Sequence, residues 1–175
     1  WLLFGFGKIG SGVGIRLKAA GAQVEVVEAR SMCDQLQQTP VGEFPFIDMT
    51  DRDAVIAAVQ RATHIVTATS VAGVISRSYP VEPFLQGQLL VNIGAEDEYG
   101  DKFPESAVLN RKVAVNFALD EPTHLRYIET TFALQNAGLE WILHHPEARG
   151  VITPSEEMQE QLLTIVRREG AIADE

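Results

Sequence analysis

The segment Gly5-Phe6-Gly7-Lys8-Ile9-Gly10 carries the residue types and spacing best suited to chemistry in this chain. It leaves an apolar run, Leu2-Leu3-Phe4, and enters a stretch with helical periodicity. In that context each glycine has a separate task. Gly5 permits a tight turn, Gly7 lets a diphosphate approach the backbone with no Cβ in the way, and Gly10 lets helix and strand pack closely. The first N–H groups and the positive end of the helix then face the phosphates, with Lys8 and Ile9 beside them. Glycine costs helix stability relative to alanine. Glycines at this spacing between strand and helix therefore point to a bound dinucleotide rather than to a merely tight turn.

A second component is Glu28, at the end of the next apolar run, Val24-Glu25-Val26-Val27. It falls about where the dinucleotide fingerprint has its acidic residue, roughly 20 residues past the glycines. A carboxylate there accepts hydrogen bonds from the adenosine ribose hydroxyls and repels a 2′-phosphate. This favours NAD over NADP, with Ala29 and Arg30 completing that side. Arg30 is the counter-signal, because an arginine can serve a 2′-phosphate. The remaining contacts are expected on the same rim of the sheet. Thr67-Ala68-Thr69 would lie along the dinucleotide, Asn92-Ile93-Gly94 would follow the fifth strand, and Asn116 would end the sixth. For Thr67 and Thr69 a loop-stabilising role is an equal alternative.

These groups need a frame, and short apolar runs alternate with amphipathic stretches throughout. That pattern reads as α/β: a Rossmann-type, doubly wound parallel sheet with helices on both faces and a C-terminal helical extension. Strands are expected at 2–6, 24–28, 43–48, 64–67, 89–93 and 112–116. Helices are expected at 8–20, 31–38, 51–61, 123–143 and 154–168, with a helical turn at 71–76. The first helix offers Ile9, Val13, Leu17 and Ala20 as its inward stripe. Thr50 is expected to cap the third helix and Thr153 the last, with Pro154 at its first position. The NAD-binding domain is taken as 1–143 and the extension as 144–175. A start at Trp1 inside an apolar run carries the expectation of a substrate domain ahead of it. The last helix serves either the domain's own packing or a contact between copies in a homo-oligomer.

Composition bounds the partners. The chain has 175 residues, 46% hydrophobic and 22% charged, enough to bury a core. With 14 Lys plus Arg against 24 Asp plus Glu, the net charge is -10, and no basic cluster exists to hold nucleic acid. No run approaches the roughly eighteen apolar residues of a membrane helix. The single Cys33 excludes an internal disulfide or a multi-cysteine metal site and fits a reducing, cytoplasmic setting. The expected partners are NAD and a small-molecule substrate, with no nucleic acid and no membrane.

The order of the blocks resembles a known family. The glycine turn at 5–12, Val26-Val27-Glu28, Val66-Thr67-Ala68-Thr69, Val91-Asn92-Ile93-Gly94, Val115-Asn116 and a long helix ending in Leu139-Glu140-Trp141 resemble the cofactor domain of S-adenosylhomocysteine hydrolase. The likeness runs from about residue 2 to residue 141. The glycine turn is shared with many dehydrogenases, whereas the Val-Asn-Ile-Gly block and its spacing to Val115-Asn116 are more specific. The resemblance implies a tightly held NAD that oxidises a ribose 3′-hydroxyl, elimination and addition at the neighbouring carbon, and return of the hydride. It implies that Glu28 holds the adenosine ribose, that Thr67 and Thr69 lie along the cofactor, and that Asn116 addresses the nicotinamide amide.

The chain also departs from that family. Ala95 stands where the family has a catalytic His directly after Asn-Ile-Gly, and alanine can neither transfer a proton nor donate a hydrogen bond. Asp120-Glu121-Pro122 replaces a Gly-His-Pro segment, and 167–175 has no counterpart to a basic, tyrosine-bearing tail. The expectation is a divergent relative with another small, nucleoside-like substrate. The alternatives are a non-catalytic NAD-binding regulatory domain and the cofactor domain of a 2-hydroxyacid dehydrogenase-like oxidoreductase; no catalytic residue is assigned. Among residues that tempt, His124 lies near the expected nicotinamide rim. His64, Cys33 and Trp141 read as packing residues, His144-His145 as a solvated loop, and Glu96-Asp97-Glu98 with Asp101 as a solvated acidic loop.

Overall fold

The computed structural model describes residues 1–36, 43–115 and 125–170. The chain gathers into two compact units, Trp1–Leu119 and Asp120–Glu175. The first holds one all-parallel sheet of β1 (Leu2–Phe4), β2 (Glu25–Glu28), β3 (Phe46–Asp48), β4 (His64–Thr67) and β5 (Leu89–Asn92), in the order β3-β2-β1-β4-β5. Helices α1 (Lys8–Ala19), α2 (Arg30–Leu36), α3 (Arg52–Arg61) and α4 (Val74–Ser78) occupy the crossovers. This is a Rossmann-like α/β fold.

Strand side chains alternate between faces, and the register decides which ones meet. Leu3 lies beside Val26 and Val66, while Leu2 and Phe4 flank it on the opposite face. One core joins Leu2, Phe4, Ile65 and Leu90 to Val55, Ala58 and Val59 of α3 and Ile75 of α4. The other joins Leu3, Val26, Val66 and Val91 to Phe6 and Phe44, with Leu17 of α1 and Leu36 of α2 against it. Helices thus cover both faces, which is why these strands read as continuous apolar runs rather than as alternating ones.

Several local expectations are corrected. In α1 the buried positions are Gly10 and Gly14, with Val13 and Leu17 half-buried, while Ile9 and Ala20 are exposed. A Cβ on Gly14 would come within 2.9 Å of the Phe6 ring, so glycine is what lets this helix approach the sheet. The cap of α3 is Asp51, not Thr50: its carboxylate accepts the Ala54 N–H at 3.1 Å. Thr50 instead donates its hydroxyl to Asp48.

The expected sixth strand does not form over its described part, 112–115. Asn110, Arg111 and Lys112 have positive φ, and left-handed backbone cannot continue a ladder. Among the described residues, β5 carries a parallel bridge between Leu90 and Val108 instead.

In the second unit, α5 (Leu125–His144) packs on α6 (Glu156–Glu169). The cap of α6 is Ser155, which accepts the Met158 N–H, so Thr153 and Pro154 lie ahead of the helix. Trp141 stacks on His145 at 4.0 Å. By contacts α5 groups with α6 in this unit. Among the described residues no helix is long and apolar enough to cross a membrane.

Candidate functional site

Strand order reverses between β1 and β4, so the connections leaving their carboxyl ends diverge and open a crevice, as at any switch point of a doubly wound sheet. A cavity of about 390 Å3 lies there. Its walls come from the glycine turn after β1, from Glu28 at the end of β2, and from Ala68-Thr69-Ser70-Val71 after β4.

The three glycines of the turn stand under different constraints. Gly5 has φ +89°, and a Cβ there would lie 2.5 Å from the Ala68 carbonyl oxygen. A Cβ on Gly10 would run into the Gly5 carbonyl oxygen. The fold itself therefore demands both glycines. Gly7 has φ -68°, an ordinary value, and a Cβ there would meet nothing within 4 Å. Its α-carbon faces the cavity, and no packing contact requires a glycine at that position. Gly7 is also the N-cap of α1, without a side-chain cap and with no acidic residue in the first turn. The first bond of the helix runs from Ser11 N–H to Gly7 O. The N–H groups before it are suited to an anion.

Glu28 lines the cavity, and its carboxylate is fixed on both sides. One oxygen accepts the Phe6 N–H at 2.7 Å and the other the Ala29 N–H at 2.8 Å. A carboxylate has about four lone-pair positions, so acceptor capacity remains on the cavity side. Arg30, itself exposed, points toward Asp34 at 3.5 Å and Asp48 at 3.8 Å, long ion pairs that hold it loosely.

Beyond Glu28 the cavity is apolar, floored by Phe4 and Val27 and lined by Met32, Met49 and Tyr79. The Tyr79 hydroxyl donates to the Met49 carbonyl at 2.7 Å, and burial pushes its pKa up to about 12. Ile9 and Val71, also on the cavity lining, are 56% and 46% exposed, apolar side chains left in water.

The structure brings together Gly5, Gly7, Lys8, Ile9, Glu28, Ala68 and Thr69 from the sequence-derived set. Gly10 supports the turn from beneath. Thr67 and Asn92 are buried and committed to each other, with the Thr67 hydroxyl donating to Asn92 Oδ1 at 3.1 Å. The Asn92 amide then donates to the carbonyls of Glu96 and Lys112 at 2.8 and 2.7 Å, tying down the segment after β5. Ile93 packs into the core, and Gly94 faces Glu98; neither lines the cavity. Asn116 and His124 lie outside the described residues.

Sequence reasoning missed several contributors. Met32, Met49 and Tyr79 sit too far apart along the chain to suggest one pocket. Glu98, read as part of a solvated loop, is fully buried. Its neighbour Tyr99 is buried as well, with its hydroxyl accepting the Val91 N–H and donating to the Ile65 carbonyl between β4 and β5. An aromatic residue inside an acidic stretch was the signal available in the sequence.

Elsewhere, His64 stacks on Trp1, and the Cys33 thiol is buried with its pKa raised by that burial and by the nearby Glu28 carboxylate. No group of three metal-binding side chains assembles among the described residues. No protein-family model matches the chain, and no curated protein matches its sequence.

Proposed function

We propose that this chain binds NAD in the crevice between β1 and β4 and serves as the cofactor domain of an adenosylhomocysteinase-like enzyme. The observation that carries the reading is Gly7. Gly5 and Gly10 are explained by packing alone, but Gly7 occupies open space at a helix start with no side-chain cap, where the bare backbone leaves room for a diphosphate.

The other residues fit the dinucleotide part by part. The α1 N–H groups and Lys8 receive the diphosphate. Glu28, already oriented by two backbone N–H groups, accepts from the adenosine ribose hydroxyls. The apolar end with Met32, Met49 and Tyr79 takes the adenine ring. Glu28 projects charge where NADP carries a 2′-phosphate, so NAD is preferred. Bound there, the nicotinamide would supply hydride acceptance and return for a small, nucleoside-like substrate. A cytoplasmic, reducing setting suits the lone Cys33.

A second reading, a regulatory domain that binds NAD without chemistry, is favoured by Ala95. That residue follows Asn92-Ile93-Gly94 with no side chain able to move a proton. Calorimetric titration with NAD and NADP tests binding: NAD should bind at least tenfold more tightly, and absence of heat with either removes the proposal. Reduced-cofactor absorbance on adding NAD and adenosine-like substrates separates enzyme from regulator.

A further inference from the structure

Glu98 is a fully buried carboxylate that the cofactor reading does not use. Its backbone belongs to the segment after β5, and its side chain reaches behind the wall built by the segment after β4. One oxygen accepts the Thr69 N–H and the Thr69 hydroxyl, both at 2.8 Å; the other accepts the Ser70 N–H at 2.6 Å. Ser70 has φ +58°, a left-handed conformation that a residue with a Cβ adopts at a cost and keeps only when its surroundings hold it. Room for the carboxylate comes from Gly94: a Cβ at that position would collide with Glu98 Oε1.

The backbone beside it repeats the link. The N–H groups of Gly73, Ile75 and Ser76, at the start of α4, donate to the carbonyls of Asp97, Glu98 and Tyr99. The acidic stretch is therefore a brace. It runs along the β4 connection on the side away from the cavity and presents Thr69, Ser70 and Val71 to the other side.

We infer that Glu98 is a positioning residue for the dinucleotide. Its carboxylate locks Ser70 in the left-handed conformation and so sets the wall opposite the glycine turn before ligand arrives. The inference rests on the NAD reading above. It also explains Gly94, whose bare α-carbon admits the carboxylate rather than the cofactor. The physical basis is pre-organisation: a segment already held in its bound shape loses less freedom on binding.

The test compares Glu98→Gln with Tyr99→Phe, a neighbouring buried change with no bond to the wall, and with the double variant Glu98→Gln/Ser70→Gly. In Glu98→Gln the NH2 must oppose either the Ser70 N–H or the Thr69 donors, so that bond set breaks at unchanged volume. Calorimetry below the melting temperature of every variant should show NAD binding weakened about tenfold or more in Glu98→Gln. It should stay within about twofold of the wild type in Tyr99→Phe. Affinity should recover in part in the double variant, because glycine takes a left-handed φ without a brace. If Glu98→Gln does not fold, Glu98→Asp, too short to reach Thr69 and Ser70 together, takes its place with the same expected weakening. Unchanged affinity, or a loss that merely follows each variant's loss of melting temperature without rescue by glycine, overturns the positioning role. A wild type that binds no NAD fails the reading beneath it, which the first titration reveals by itself.

Discussion

Glu28 accepts the Phe6 N–H at 2.7 Å, so the last side chain of β2 is fastened to the middle of the glycine turn that follows β1. The same carboxylate accepts from Ala29. One residue thereby links the two connections that would hold the phosphates and the adenosine ribose. It is oriented before any ligand is present.

Replacing Glu28 by Gln tests that link. The amide keeps the volume but must turn its NH2 toward one of two N–H donors, leaving that donor without an acceptor. Stability should fall by about 1–3 kcal/mol, and NAD affinity by roughly tenfold or more. Thermal melts and calorimetry measure both; NAD affinity equal to the wild type's would remove the ribose role.

The glycines of the turn should separate into two classes. Gly7→Ala should leave stability within about 1 kcal/mol of the wild type, because alanine is only a somewhat poorer N-cap, yet abolish NAD binding. Gly10→Ala drives a methyl group into the Gly5 carbonyl and should cost about 1–3 kcal/mol or more. Gly12, a helix position with open space around it, should accept alanine with a gain of about 0.5–1 kcal/mol. Denaturant melts rank the three, and a Gly7→Ala variant that still bound NAD would reduce that glycine to an N-cap preference.

Tyr99→Phe removes the hydroxyl between β4 and β5 and leaves the buried Val91 N–H without that acceptor. A loss of about 1–3 kcal/mol is expected, read as a lower denaturation midpoint.

Alkaline pH gives a further check through Tyr79. Burial raises its folded pKa from the usual 10 to about 12. Between those values the unfolded chain has lost the phenol proton while the folded protein retains it. The stabilising contribution is therefore complete below pH 10 and is lost as pH rises toward 12. Tyr99 is shifted in the same direction by burial. Tyr79→Phe should melt with a shallower decline across pH 10–12 than the wild type. An identical slope in the two would mean that Tyr79 ionises freely when folded.

Most of the frame was legible along the chain. The β4 segment, residues 64–67, matches its expected bounds, and β5 and α3 differ by one residue at an end, because apolar runs and helical periods are local signals. The errors cluster where the outcome depended on distant partners. The reading of 112–116 as a strand followed its apolar alternation, but the left-handed backbone at Asn110, Arg111 and Lys112 takes the chain off the sheet edge. Thr67 and Asn92 were placed on the correct rim, yet the Thr67 hydroxyl is given to Asn92 and the Asn92 amide to the carbonyls of Glu96 and Lys112.

The amino-acid order by itself determined the parallel α/β pattern, the glycine turn and the acid at the end of β2, all governed by near-neighbour sterics and periodicity. Only the tertiary structure decided what each polar group is free to do. It set Gly7 apart from Gly5 and Gly10, brought Met32, Met49 and Tyr79 to one pocket, and turned Glu98 from an acidic surface residue into a buried brace. The physical reason is that a side chain's hydrogen-bonding capacity is limited, and its partners are chosen by atoms far away in sequence and close in space.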